Sequence, residues 1–160
     1  MILVGFITLL LVGAVVALQV QALLLISDHL PKFPFQHLFK VSLGLIGVIV
    51  AHVISIVLFG VVIFGLAKTH PELGSLEGTG PKDLHDFIYF SFTTYTTVGY
   101  GDYVPVGPIR LISQIEALVG LVLIACSASY IFIIMQDYWR AHQRRARVAD
   151  GRGDREGDKR

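Results

Sequence analysis

Of the chain's 160 residues, 54% are hydrophobic and only 16% charged, too few polar residues to cover the core of a soluble domain of this size. The formal net charge of +1 averages an uncharged stretch, residues 1–26, with a tail, residues 137–160, that carries eight Lys/Arg and five Asp/Glu. This distribution points to a membrane protein with a polar tail, and no group of residues offers a nucleophile with its base or a metal site, so an enzyme is not expected. Cys126 lies alone in an apolar run, where it reads as a small buried hydrophobe. Met1 is followed by neither a basic region nor a small-residue cleavage site, and no removable signal peptide is expected.

Crossing a bilayer takes about 20 apolar residues. Residues 2–26, 41–67 and 109–135 meet that length, and each must be a helix, because hydrocarbon leaves no outside partner for backbone polar groups. The first span contains Gln19 and Gln21, the second His52, and the third Arg110 and Glu116. The expected fold class is therefore an all-α membrane protein of three transmembrane helices. Residues 71–82 are rich in Gly, Pro and polar side chains and read as an external loop. Residues 84–95 are apolar and aromatic but too short to cross. Asp83 is placed to cap a short helix there, with Asp86 three residues on favouring the positive end of its dipole. A short helix followed by glycine-spaced residues predicts a re-entrant loop, tolerated at membrane depth only where protein or water surrounds it.

Lys32 and Lys40 against Asp28 in the loop 27–40, together with the arginine-rich tail, place both on the cytoplasmic side. Three spans then put the N-terminus and the re-entrant segment outside. Residues 150–160, rich in Gly and charge, are expected to be disordered, and the tail as a whole partly so.

The run Thr96-Thr97-Val98-Gly99-Tyr100-Gly101-Asp102 follows the short helix. A dehydrated potassium ion needs close oxygen ligands on all sides, which backbone carbonyls supply if successive residues turn their C=O groups toward one axis. A strand alternates its carbonyls, so the backbone must alternate in hand instead, and Gly99 and Gly101 are expected to provide the positive φ. Val98 and Tyr100 would point outward, and the Thr97 hydroxyl would add a ligand at the inner end. The short helix aims its partial negative end at the axis. A ring of carbonyls with one loop per chain implies four chains, expected as a homotetramer.

These seven residues, preceded by Ile88-Tyr89-Phe90-Ser91-Phe92-Thr93-Thr94, resemble the pore loop of the potassium channels. Pro105, Arg110, Glu116 and Gly120 resemble the inner-helix pattern of the small prokaryotic-type members. The resemblance implies a pore domain over residues 41–136, with outer helix 41–67, pore helix 84–96, filter 97–101 and inner helix 109–135. Residues 1–40 would be an additional helix and loop, and residues 137–160 a basic tail. It further implies potassium sites at the carbonyls of Thr97, Val98, Gly99 and Tyr100, with Gly101 completing the filter and no cofactor besides the permeant ion. Asp102 would lie at the outer mouth, where four copies concentrate cations; a hydrogen bond behind the filter is a compatible second role. Tyr89 and Phe90 would pack around Tyr100. Two departures are visible. The segment from Asp102 to Gly120 is one residue shorter than the common pattern, and Thr93 stands where some relatives carry a carboxylate.

Polar residues within the spans complete the candidate site. A carboxylate at the depth of Glu116 must be buried in protein and partnered. Thr93 or Thr94 are its expected partners, whether it braces the filter or is structural only. His52 is expected to be neutral and hydrogen-bonded between helices, with proton sensing as the alternative. Gly120 is either an inner-helix hinge or a point of close packing. Tyr138-Trp139 read as an interfacial anchor, and Arg140, Arg144, Arg145 and Arg147 as a cytoplasmic stop touching anionic lipid, with no nucleic-acid role. A non-selective cation channel, a potassium symporter subunit and a non-conducting scaffold are the rival classes, and the unaltered glycine-tyrosine-glycine core with a single loop disfavours them. Neither of the first two spans carries the regularly spaced arginines of a voltage sensor, and the 25 residues after Met135 are too few for a ligand-binding domain.

Overall fold

A computed structural model describes residues 2–29 and 37–157 of the chain. Among the described residues, three helices are long and apolar enough to cross a membrane. They are α1 (Ile2–His29), α2 (His37–Thr69) and the first part of α4 (Arg110–Gly157). Between α2 and α4 come a 3-10 turn (Pro71–Leu73), strand β1 (Ser75–Gly78), the short helix α3 (Leu84–Tyr95) and strand β2 (Tyr103–Val106). The fold is that of an all-α membrane protein with one small sheet, as the hydropathy pattern predicts.

Both α1 and α2 run past the apolar limits read from the sequence, to His29 and back to His37, because a helix once nucleated gains one bond per added residue. Lys32, part of the topology reading, lies outside the described residues. A larger correction concerns the tail. Instead of becoming disordered after residue 150, α4 continues without a break to Gly157. Arginine and alanine, strong helix formers, supply nine of the eighteen residues from 140 to 157, and the glycine-containing end, 151–157, extends an existing helix without the cost of nucleation.

The segment 71–82, expected to be plain loop, contains one strand of a two-stranded sheet. β1 and β2 are antiparallel, pairing Ser75 with Val106, Leu76 with Pro105, Glu77 with Val104 and Gly78 with Tyr103. This pairing ties the chain before α3 to the chain after the filter run, with Leu76 and Tyr103 buried beneath it.

α1 turns a stripe of Val4, Thr8, Leu11, Val15 and Gln19 into the protein, at the three- and four-residue steps of one helix face. Phe6, Leu9, Leu10, Val16 and Leu24 stay exposed on its remaining faces, as a lipid-facing surface requires. The core joins that stripe to Ile56, Phe59 and Ile63 of α2, Phe87, Phe90 and Tyr95 of α3, and Ile112 and Leu123 of α4. Where α2 crosses α3, a β-carbon on Gly60 would lie 2.9 Å from Ile88 Cα, so glycine sets how closely the two backbones approach.

Candidate ion-conducting site

The helix α3 begins where the sequence predicts. Asp83 precedes its first turn, and the Asp83 backbone N–H donates to Asp86 Oδ2 at 2.9 Å, the reciprocal half of a capping box. Phe87, Phe90, Ser91, Thr94 and Tyr95 form its buried face. Phe87 meets Phe64 of α2 edge-on, with ring centroids 5.4 Å apart.

At its far end α3 closes onto the filter run. Thr96 N–H donates to Phe92 O at 3.1 Å, Thr97 N–H to Thr94 O at 3.0 Å, and Gly99 N–H to Thr93 O at 3.3 Å. Thr97 and Gly99 are left-handed, with φ of +57° and +105°. Gly101 is not among the positive-φ residues, which corrects the expectation that the two glycines supply the alternation. The reason is local. Thr97 is the first residue past the C-cap of α3, the position where a helix commonly ends in a left-handed turn. A β-branched residue there carries strain of order 1–3 kcal/mol, which persists only where its surroundings enforce it.

Every residue from Thr96 to Asp102 is exposed within one chain, Val98 to 80%. Phe90 stacks on Tyr100, with centroids 5.4 Å apart and the rings 9° from parallel. Tyr89, expected beside it, instead donates its hydroxyl to Asp102 Oδ2 at 3.4 Å and packs edge-on against Tyr103. The aromatic support is thus divided, Phe90 under Tyr100 and Tyr89 under the two residues beyond Gly101.

Glu116 is fully buried, and its partner is neither Thr93 nor Thr94 but Ser91, whose hydroxyl donates to Glu116 Oε1. The same Ser91 Oγ lies 2.9 Å from the carbonyl oxygen of Ile56, so the serine's one hydrogen has an acceptor on α2 and another on α4 and serves one of them at a time. Thr93 is two residues further along the helix, nearly opposite, and donates to Phe90 O at 2.9 Å. The hydroxyl of Thr94 and the second carboxylate oxygen of Glu116 are buried with no hydrogen-bond partner among the described residues.

His52 bridges helices. Its Nδ1 lies 3.0 Å from the Tyr95 hydroxyl and its Nε2 3.1 Å from Ser127 Oγ. Gln19 of α1 donates to the same Ser127 oxygen at 2.9 Å. Ser91, Tyr95, Ser127 and Gln19 had not been singled out as site residues. Ser91 carries a local signal, since it shares a helix face with Phe87, Thr94 and Tyr95, and Gln19 is visible only as a polar residue of the first span. At Gly120 the helix is unbroken and packs against the backbone of Tyr95. Trp139 is exposed beyond the apolar part of α4; the side chains of Tyr138, Arg144, Arg145 and Arg147 lie outside the described set.

A family model described as "Ion channel" matches residues 51–137, more than half of the chain. The chain belongs to this ion-channel family. The match runs from the middle of α2 through α3 and the filter run into α4, and leaves α1 of this channel protein outside it. Over 58 residues, 36% of its length, the channel protein is 36% identical to the inward rectifier potassium channel Kirbac3.1 of Paramagnetospirillum magnetotacticum. It spans 20% of the length of that relative. No solved structure matches it significantly. Membership of a pore-loop channel family, expected from residues 88–120, is borne out.

Proposed function

We propose that four copies of this chain surround one axis and conduct potassium passively and selectively through the run Thr97–Gly101. The observation that carries the reading is the left-handed pair Thr97 and Gly99, two residues apart at the end of a short buried helix. Left-handed residues at every second position turn the intervening carbonyls to a common side, which four chains need to replace an ion's water shell. The exposure of the whole run supports the tetramer, because apolar Val98 and the open backbone need cover from neighbouring copies. Thr97, Val98, Gly99 and Tyr100 supply the carbonyls, the Thr97 hydroxyl a further oxygen, and Asp102 the negative outer mouth. The potassium channel among its relatives supports the choice of ion. In this reading the N-terminus and the β1–β2 sheet face outward, and the continuation of α4 lies in the cytoplasm with its arginines near anionic lipid.

The test is ion flux from the purified full chain in liposomes, paired with native mass measurement. Potassium flux blocked by barium, with little sodium flux, from a tetramer is the expected result. Equal sodium and potassium flux would indicate a non-selective pore, no flux a scaffold, and a dimer alone would overturn the four-fold model.

A further inference from the structure

An amide buried in the middle of a membrane helix is costly, and leucine would fill the same space without that cost. Gln19 is 1% exposed and faces the protein from α1, the helix outside the family match. The other buried polar residue of that stripe, Thr8, satisfies itself by donating to Val4 O of its own helix at 2.6 Å. Gln19 instead reaches another helix.

The hydrogens around it can be assigned one by one. Ser127 donates its only hydroxyl hydrogen to Leu123 O at 2.8 Å, which leaves its oxygen free to accept twice. Gln19 Nε2 fills one position at 2.9 Å and a protonated His52 Nε2 the other at 3.1 Å. His52 Nδ1 is then an acceptor, and the Tyr95 hydroxyl, 3.0 Å away, donates to it. Gln19 Nε2 also lies 3.4 Å from His52 Nε2, and Gln19 Oε1 is buried with no hydrogen-bond partner among the described residues, but the path from Gln19 through Ser127 and His52 to Tyr95 is continuous with histidine in this one neutral tautomer.

Tyr95 is the last residue of α3, fully buried and joined directly to Thr96-Thr97. Its backbone is held by contact with Gly120 and its hydroxyl by His52, so the residue before the filter is fixed at both ends. We propose that α1 is a filter-holding element of each subunit, acting through Gln19, Ser127 and His52 on the Tyr95 hydroxyl. These three are positioning residues. The inference rests on reading residues 97–101 as the filter.

The test uses the full chain in lipid nanodiscs and compares wild type with Gln19→Leu, Tyr95→Phe, the double variant and Thr8→Val. Hydrogen exchange of the backbone amides of residues 96–101 is read alongside barium-blocked potassium flux. Loss of one buried hydrogen bond predicts about fivefold faster exchange at Thr97 and Gly99 in Gln19→Leu and in Tyr95→Phe. The double variant should be no faster than either alone, and Thr8→Val should match wild type. Exchange altered only within α1, or effects of Gln19→Leu and Tyr95→Phe that multiply, would overturn the proposal. If Gln19→Leu fails to assemble, Ser127→Ala, which removes one oxygen, takes its place with the same expectation. Coupled exchange without potassium flux in wild type would sink the channel reading and leave the tie standing. Flux in wild type without coupled exchange would sink the tie alone.

Discussion

Gly120 of α4 lies against the carbonyl of Tyr95: a β-carbon there would overlap that oxygen and come within 2.9 Å of Tyr95 Cγ. The glycine that resembles a hinge therefore stands where α4 closely approaches the helix that carries the filter. A backbone carbonyl cannot rotate away like a flexible side chain. Gly120→Ala should therefore lower the unfolding stability of the assembled protein by about 1–3 kcal/mol, the usual cost of overpacking. Thermal unfolding in detergent checks this. Wild-type stability combined with altered opening would favour the hinge instead.

Ser91 meets Ile56 O and Glu116 at the centre of the three packed helices. Ser91→Ala removes the partner of a fully buried carboxyl group and should cost about 1–3 kcal/mol, the penalty for an orphaned buried polar group. Glu116→Gln keeps an acceptor oxygen for the serine and should cost less. Because both changes act on one bond, the double variant should fall short of the sum of the two. Denaturant unfolding of all four proteins decides the matter. Unchanged filter stability, conductance and pH response in Glu116→Gln would remove the support for a bracing role.

What was legible in the sequence was local or compositional. The three spans follow from apolar length, and the start of α3 from Asp83 and Asp86, residues that bond to each other across a single turn. The β1–β2 pairing was not legible, because it joins two four-residue strands with the whole of α3 and the filter between them. The partner of Glu116 was within reach. Ser91 lies one turn from Phe87 and from Tyr95 on the buried face, whereas Thr93 faces away. The hand of Thr97 was hidden behind a residue type that avoids it, and only the helix end beside it explains it. Gln19 was visible as polar, but its partner Ser127 is 108 residues away.

Outside the membrane, the carboxyl of Glu72 is held below its ordinary value, first by a bond from its own backbone and then by His70, whose Nδ1 lies 2.9 Å from Glu72 Oε1. A folded-state value depressed in this way means the bonds support the Pro71–Leu73 turn above the ordinary carboxylate range. They are lost as pH falls through the folded value. His70→Ala should move the Glu72 titration only part of the way back up, because the backbone bond is the larger cause. A side-chain titration followed by NMR checks this. Full return to the ordinary value would show that the histidine carries the whole effect.

Gly99 and Gly101 both belong to the glycine-tyrosine-glycine core, but the backbone distinguishes them. At Gly99, φ of +105° is a conformation that a side chain strains against whatever space surrounds it, and nothing lies within 4 Å of a β-carbon built there. Alanine at this position is therefore opposed by the backbone and not by a clash. Gly101 has no positive φ, and a β-carbon there also meets nothing within the chain. Gly99→Ala should abolish potassium flux, or cut it by at least about tenfold for a strain above 1.4 kcal/mol. Gly101→Ala should retain a larger share of it in the same liposome measurement. Thr97→Gly offers the complementary test. It frees the left-handed position from its strain while deleting the hydroxyl, so filter stability should hold or rise while potassium occupancy at the inner end falls. If Gly101→Ala proved as damaging as Gly99→Ala in tetramers of normal stability, the alternation would have to extend across both glycines. The left-handed turn at Thr97 would then be only the closing turn of α3.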